Sequence, residues 1–183
     1  NIMRGYYNDE ESTKEVLTDD GWFSTGDIGE IDQDGFLKIT DRKKNLFVTS
    51  GGKNVAPAPL ENSLATSSYI DQVVVLGDKR NFISALIVPN FDNIKTYLSS
   101  MEKSVSGNEA MIEHQDVLNL IDKEVSGAMS EFSNYEKVKV FKLLSEPFAI
   151  EKGELTPKMS IVRKIVISNN HDLIESIYNQ TKK

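Results

Sequence analysis

Two apolar runs, Val73-Val74-Val75-Leu76 and Ile83-Ser84-Ala85-Leu86-Ile87-Val88, lie on either side of the polar stretch Gly77-Asp78-Lys79-Arg80-Asn81. Runs this short, bounded by turn residues, read as adjacent buried strands and predict the core sheet. The other periodic segments must cover that sheet. Pro57 and Pro59 suit the first turn of a helix whose Leu60, Leu64 and Ala65 face inward and which ends at Ser67-Ser68. Ile94, Leu98, Met111, Val117, Leu118, Ile121, Val125 and Met129 predict further helices, interrupted by an exposed loop over residues 99–108. Residues 138–144 predict a last strand. A loop over residues 151–160 follows, and then one terminal helix carrying Ile161, Ile165, Leu173, Ile174 and Ile177.

The first third of the chain has a different character. Residues 8–17 carry acid early and lysine late, as in a short capped surface helix whose dipole is satisfied at both ends. Ile28, Ile31, Phe36 and Ile39 flank Asp32-Gln33-Asp34-Gly35, which predicts two half-buried strands around a Gly-closed turn. Leu46-Phe47-Val48 predicts a short strand before the loop Ser50-Gly51-Gly52-Lys53-Asn54, where adjacent glycines allow close approach of a ligand. The polar run over residues 41–45 marks a domain boundary. The expected architecture is α+β: an N-terminal β-hairpin remnant of a larger domain (residues 1–43), then a small mixed sheet covered by helices (residues 44–183).

Composition narrows the chemistry. At 183 residues the chain suits one or two small domains with a real core. No apolar stretch approaches the roughly 20 residues of a spanning helix, so no transmembrane segment is expected. A net charge of -7 argues against nucleic acid as a partner, because neutralising phosphates needs a basic face. The absence of cysteine excludes disulfides and thiolate metal sites, and agrees with a reducing, cytoplasmic setting. His114 and His171 stand apart on polar stretches, so no metal site is expected. The first residues show neither an initiator methionine nor the order of a signal peptide, and the chain is expected to be a fragment of a longer protein.

Asp27 closes the run Gly21-Trp22-Phe23-Ser24-Thr25-Gly26-Asp27. A carboxylate on a fixed turn can accept two hydrogen bonds from the cis hydroxyls of a ribose, and it can equally cap its own turn. Those residues alone fit both roles. In one order, however, the chain carries Gly5-Tyr6-Tyr7-Asn8, the run ending at Asp27, Gly35-Phe36-Leu37, Asp41-Arg42-Lys43-Lys44 and Ser50-Gly51-Gly52-Lys53-Asn54-Val55-Ala56-Pro57. This order resembles the adenylate-forming enzymes. Tyr135-Glu136-Lys137-Val138-Lys139, Glu146-Pro147-Phe148 and Gly153-Glu154-Leu155-Thr156-Pro157 look like their long-chain fatty acyl-CoA synthetase branch.

In such enzymes a carboxylate attacks the α-phosphate of ATP to give an acyl-adenylate and pyrophosphate, and CoA then displaces AMP to give the thioester. The resemblance implies that residues 1–43 end the large adenylation domain and that residues 44–183 form the mobile C-terminal domain. The fragment alone would be inactive. Its partners would be a long-chain fatty acid, ATP, CoA and the large N-terminal domain, with Mg²⁺ bound mainly by that domain. By position, Asp27 would bind the ribose hydroxyls, Arg42 the nucleotide, and Lys44 would be the hinge at which the small domain rotates between the two reactions. Gly51 and Gly52 would line the pantetheine tunnel. The full-length protein is expected to be cytoplasmic and peripheral at a membrane.

The C-terminal loop departs from the family pattern. The lysine that stabilises charge during adenylation normally precedes an apolar-x-Arg segment, and here Ser160 precedes Ile161-Val162-Arg163. Lys158, two residues earlier, is the candidate for that role, since a flexible ammonium could reach the α-phosphate and the attacking carboxylate. A solvent lysine in a mobile loop is the alternative. Ser160 also supports a rival from another class, a non-catalytic interaction or regulatory domain. Adenylation for a carrier protein's phosphopantetheine arm is a second enzymatic possibility.

Overall fold

The computed structural model describes residues 2–180, with Gln180 described by its backbone alone, and the chain divides into two compact units, Asn1–Leu46 and Phe47–Lys183. In the first unit, helix α1 (Glu10–Val16) is capped by the Asp9 carboxylate, which accepts the Ser12 N–H at 3.0 Å and the Ser12 hydroxyl at 2.7 Å. No residue of α1 is buried. Strands β1 (Asp27–Ile31) and β2 (Leu37–Arg42) pair antiparallel. The Asp32 side chain organises their turn by accepting the N–H groups of Asp34 and Phe36, and Gly35 supplies the positive φ of 86°.

The hairpin is where it was expected and Ile28 is half-buried, but its other apolar side chains are not. Ile31, Phe36, Leu37 and Ile39 are 73, 71, 67 and 57% exposed. Alternation and turn chemistry specify strand pairing; burial requires a covering layer, and no described residue of this unit supplies one over these four side chains.

In the second unit, β3 (Phe47–Val48) and β4 (Asn54–Val55) form a small ladder beside helix α2 (Pro57–Leu64). The core sheet consists of β5 (Ile70–Leu76), β6 (Ile83–Pro89) and β7 (Val138–Leu143) in that order, with β5 antiparallel and β7 parallel to β6. A parallel neighbour needs a crossover connection, and α3 (Phe91–Ser100), α4 (Asn108–Glu113) and α5 (Gln115–Ala128) provide it. The last described elements are α6 (Arg163–Asn169) and α7 (His171–Gln180).

The continuous apolar runs follow from burial on both sheet faces. Val73, Val75, Ile83, Ala85 and Ile87 pack into one core with Leu60, Leu64, Ile94, Leu98, Val117 and Ile121, from the side of α2, α3 and α5. Val74, Leu76, Leu86 and Val88 pack into the other with Val166, Ile174 and Ile177 of α6 and α7. Polar positions within this core are matched: the Ser84 and Tyr178 hydroxyls, joining β6 to α7, lie 2.7 Å apart. Among the described residues no buried side-chain nitrogen or oxygen lacks a hydrogen-bond partner, and no helix is long and apolar enough to cross a membrane.

The terminal helix is two helices. Its apolar spacing continues across Asn169-Asn170-His171, but Asn170 ends α6 by turning its Nδ2 back to the Val166 carbonyl at 2.9 Å. Its own carbonyl then accepts the Ile174 N–H of α7.

Candidate functional site

The first unit brings Asp27 and Arg42 together. They are partners in the β1–β2 register, and Arg42 Nε lies 3.1 Å from Asp27 Oδ1. The turn before β1 is held from both ends: the Thr25 hydroxyl accepts the Asp27 N–H at 3.1 Å, and the Gly26 carbonyl accepts the Lys43 N–H at 2.8 Å. Gly26 has φ of 74°, a conformation that favours glycine. The result is a carboxylate on a fixed turn with a guanidinium beside it, their side chains 31 and 49% exposed. The arrangement can accept hydrogen bonds from a diol and donate to an oxygen anion from adjacent atoms.

Lys44 is exposed in the 3-10 turn Lys43–Asn45 that closes this unit. The residue that shapes the turn is Asp41, buried to 7% exposure, whose Oδ1 accepts the Arg42 N–H at 2.6 Å and the Asn45 side-chain amide at 3.0 Å. From the sequence, Asp41 stood out only as the start of the motif Asp41-Arg42-Lys43-Lys44 and of the boundary run 41–45. The signal was present, because an Asp before a short polar run ending in Asn suits side-chain capping of a turn.

Gly51 and Gly52 lie in the second unit, in a loop closed by Thr49. The Thr49 hydroxyl accepts the Lys53 N–H at 3.1 Å, and its carbonyl accepts the Gly52 N–H at 2.9 Å. Gly52 has φ of 72°, and a Cβ there would meet nothing within 4 Å, so its bare backbone faces open space. The turn between β5 and β6 braces this loop. Ser50 donates its N–H to the Arg80 carbonyl and its hydroxyl to Asn81, while Asp78 accepts the Val48 N–H at 3.2 Å. Lys53 sits with Nζ 5.7 Å from the Tyr135 ring centroid. Arg80 pairs with Glu175 and stacks at 4.6 Å on the Tyr178 ring.

Lys158 is exposed at the tip of another loop of the same unit, between Leu155 and Ile161, which are bridged. Within it the Thr156 N–H donates to the Ser160 carbonyl, the Thr156 carbonyl accepts the Met159 N–H and the Thr156 hydroxyl accepts the Ser160 N–H. Met159 takes φ of 61° to complete the turn. The N-terminal stem is anchored by Leu155 in the α6–α7 core and by Glu154, 5% exposed, whose carboxylate accepts the Ala149 N–H and the Asn169 side-chain amide. The C-terminal stem runs into Arg163. This guanidinium donates to the Val75 carbonyl at 2.5 Å, pairs with Glu61 at 2.8 Å and lies 5.3 Å from the Phe47 ring centroid.

Lys158 and the Gly51-Gly52 pair therefore occupy separately braced loops of the second unit, and Asp27, Arg42 and Lys44 belong to the first. His114 caps α5 by accepting the Asp116 N–H. Among the described residues no three of His, Cys, Asp or Glu come together in a way that could hold a metal ion.

Residues 44–182 match the family model for the AMP-binding enzyme C-terminal domain. The chain is 41% identical over 180 residues to the long-chain-fatty-acid–CoA ligase FadD15 of Mycobacterium tuberculosis, covering 98% of this chain and 30% of the relative. It is 35% identical to long-chain-fatty-acid–CoA ligase 5 of Mus musculus, covering 100% of this chain and 27% of that one. Its fold superposes with a TM-score of 0.74 and 27% identity on the A domain of carboxylic acid reductase from Segniliparus rugosus, solved with AMP and a co-purified carboxylic acid, over 98% of this chain and 27% of that one. The chain thus spans less than a third of the length of these relatives.

Proposed function

Because the chain belongs to the family of AMP-binding enzyme C-terminal domains, we propose that its parent protein is an AMP-forming ligase that activates a long-chain fatty acid with ATP and transfers it to CoA. The observation that carries this reading is 41% identity, along 98% of the chain, to a long-chain-fatty-acid–CoA ligase. In this reading residues 1–43 complete a large adenylation domain that the isolated chain lacks. The exposed Ile31, Phe36, Leu37 and Ile39 support that placement, since they offer an apolar face to a covering layer. The chain by itself is expected to be inactive.

The residues divide between two steps. During adenylation the Asp27 carboxylate accepts the ribose hydroxyls, the adjacent Arg42 guanidinium contacts the nucleotide, and Lys158 Nζ offsets the negative charge that builds as the fatty carboxylate attacks the α-phosphate. Lys44 then absorbs the backbone change that turns residues 44–183 about the hinge. The open backbone of Gly51-Gly52 would line the path of the pantetheine arm, whose thiolate attacks the acyl carbonyl and expels AMP. Mg²⁺, expected with ATP, does not fit the described residues, which bring no ligand cluster together. No step is assigned to it in this chain. A cytoplasmic protein working at a membrane surface, where long-chain fatty acids partition, agrees with the same reading.

Product analysis tests the acceptor. The parent protein incubated with ATP, a long-chain fatty acid and CoA should yield acyl-CoA and AMP in equal amounts. Acylation of a carrier protein in preference to CoA would favour the carrier-linked reading, and no AMP at all would favour a non-catalytic domain. The named relatives favour CoA.

A further inference from the structure

We propose that Arg163 is a positioning residue for adenylation, fastening the loop that carries Lys158 to the strand that follows the hinge; the proposal rests on the function above. Three elements meet at this one guanidinium. Its Nη1 donates to the Val75 carbonyl at 2.5 Å, its Nη2 reaches both Glu61 oxygens at 2.8 and 2.9 Å, and its central carbon lies over the Phe47 ring, 5.3 Å from the centroid. Glu61 in turn accepts the Val75 N–H at 2.8 Å. The pair thus occupies the outer edge of β5 at Val75, the side that β6 does not reach, and ties α2, β5 and the start of α6 into one unit.

The geometry is directional. Arg163 is the first residue of α6 and stands two residues beyond Ile161, whose bridge to Leu155 closes the loop. Phe47 opens the second unit, three residues after Lys44. A guanidinium between them transmits the position of the post-hinge strand to the base of the Lys158 loop. Lys158 itself is exposed at the tip on a flexible stem, so where its ammonium arrives depends on how firmly that base is held. A lysine at position 163 could keep a positive charge near Glu61, but without the planar fork it could not serve Glu61 and the Val75 carbonyl together.

The test uses the full-length parent, unmodified and as Arg163→Lys and Glu61→Gln. Three quantities are measured: ATP–pyrophosphate exchange with a fatty acid, thioester formation from supplied acyl-adenylate and CoA, and amide hydrogen exchange across residues 154–163. The expected result for both variants is about a tenfold or greater loss of pyrophosphate exchange, with thioester formation changed less than about twofold. Amides 154–163 should exchange faster while those of β5 and β6 keep their protection. Equal losses in the two half-reactions, unchanged pyrophosphate exchange, or unchanged protection of residues 154–163 would each overturn the proposal. If the unmodified parent forms no acyl-adenylate, the proposed function falls, and the hydrogen-exchange comparison alone decides whether Arg163 holds the loop.

Discussion

Arg42 Nε lies 3.1 Å from Asp27 Oδ1 across a matched pair of the β1–β2 ladder, so the two residues proposed to bind the nucleotide are joined directly to each other. An ion pair this exposed contributes about 0–1 kcal/mol to stability. In the proposed function the pair acts by preorganisation, each side chain holding its neighbour in position for the nucleotide.

Replacing Asp27 by Asn should therefore separate binding from stability. Loss of charged hydrogen bonds to the ribose should raise the KM for ATP of the parent protein about tenfold or more, since such bonds contribute about 1.5–3 kcal/mol. The melting temperature should fall by no more than about 3 °C. Steady-state rates with ATP varied, together with thermal unfolding, check both; a large fall in melting temperature with unchanged KM would make Asp27 a structural residue.

Gly77 should not tolerate alanine. A Cβ at Gly77 would fall 2.2 Å from Cδ1 of Ile83, which is fully buried, and 3.4 Å from the Phe47 ring. Overpacking of this kind costs about 1–3 kcal/mol. Urea unfolding of Gly77→Ala should show that loss with an unchanged m-value, and combining it with Ile83→Val should recover part of it.

The Ser84–Tyr178 pair predicts a different pattern. Tyr178→Phe leaves the fully buried Ser84 hydroxyl without its 2.7 Å partner and should cost about 1–3 kcal/mol. Adding Ser84→Ala should return most of that loss, because no buried polar group is then left unmatched. A double variant less stable than the single, by urea unfolding, would contradict this.

Burial pushes the Tyr178 phenol above its ordinary value, against the opposing effects of the Ser84 hydroxyl and the Arg80 guanidinium. The folded state thus holds the proton more tightly than the unfolded state. The corresponding stability is fully present below the ordinary tyrosine pKa of about 10 and is lost as pH rises from there through the folded value. Unfolding free energies measured from pH 9 upward should fall less steeply in Tyr178→Phe than in the unmodified protein.

The parts of the fold legible in the sequence were those governed by local rules. Val73 to Leu76 and Ile83 to Val88 announced themselves as strands because both faces are covered, and Asp32 to Gly35 announced a turn through side-chain and glycine chemistry. The exposure of Ile31, Phe36, Leu37 and Ile39 was not legible, because alternation specifies strand pairing and not whether a covering layer is present. The break between α6 and α7 was marked only by Asn170, a residue that competes for backbone hydrogen bonds without interrupting the apolar spacing. At the candidate site, Asp27 and Arg42 could be singled out from the order of motifs, but their pairing required the hairpin register. The Arg163–Glu61 contact joins residues 102 apart and leaves no local signal.

Lys158 carries the account's central chemical claim, and fatty-acid-dependent ATP–pyrophosphate exchange by the full-length parent, unmodified and as Lys158→Ala, tests it most directly. The prediction is exchange that requires a long-chain fatty acid in the unmodified protein and falls by about two orders of magnitude or more in the variant, as expected when a preorganised cation is removed from a developing anion. Exchange undiminished in Lys158→Ala would contradict the assignment of Lys158, and no fatty-acid-dependent exchange in the unmodified protein would contradict the ligase itself.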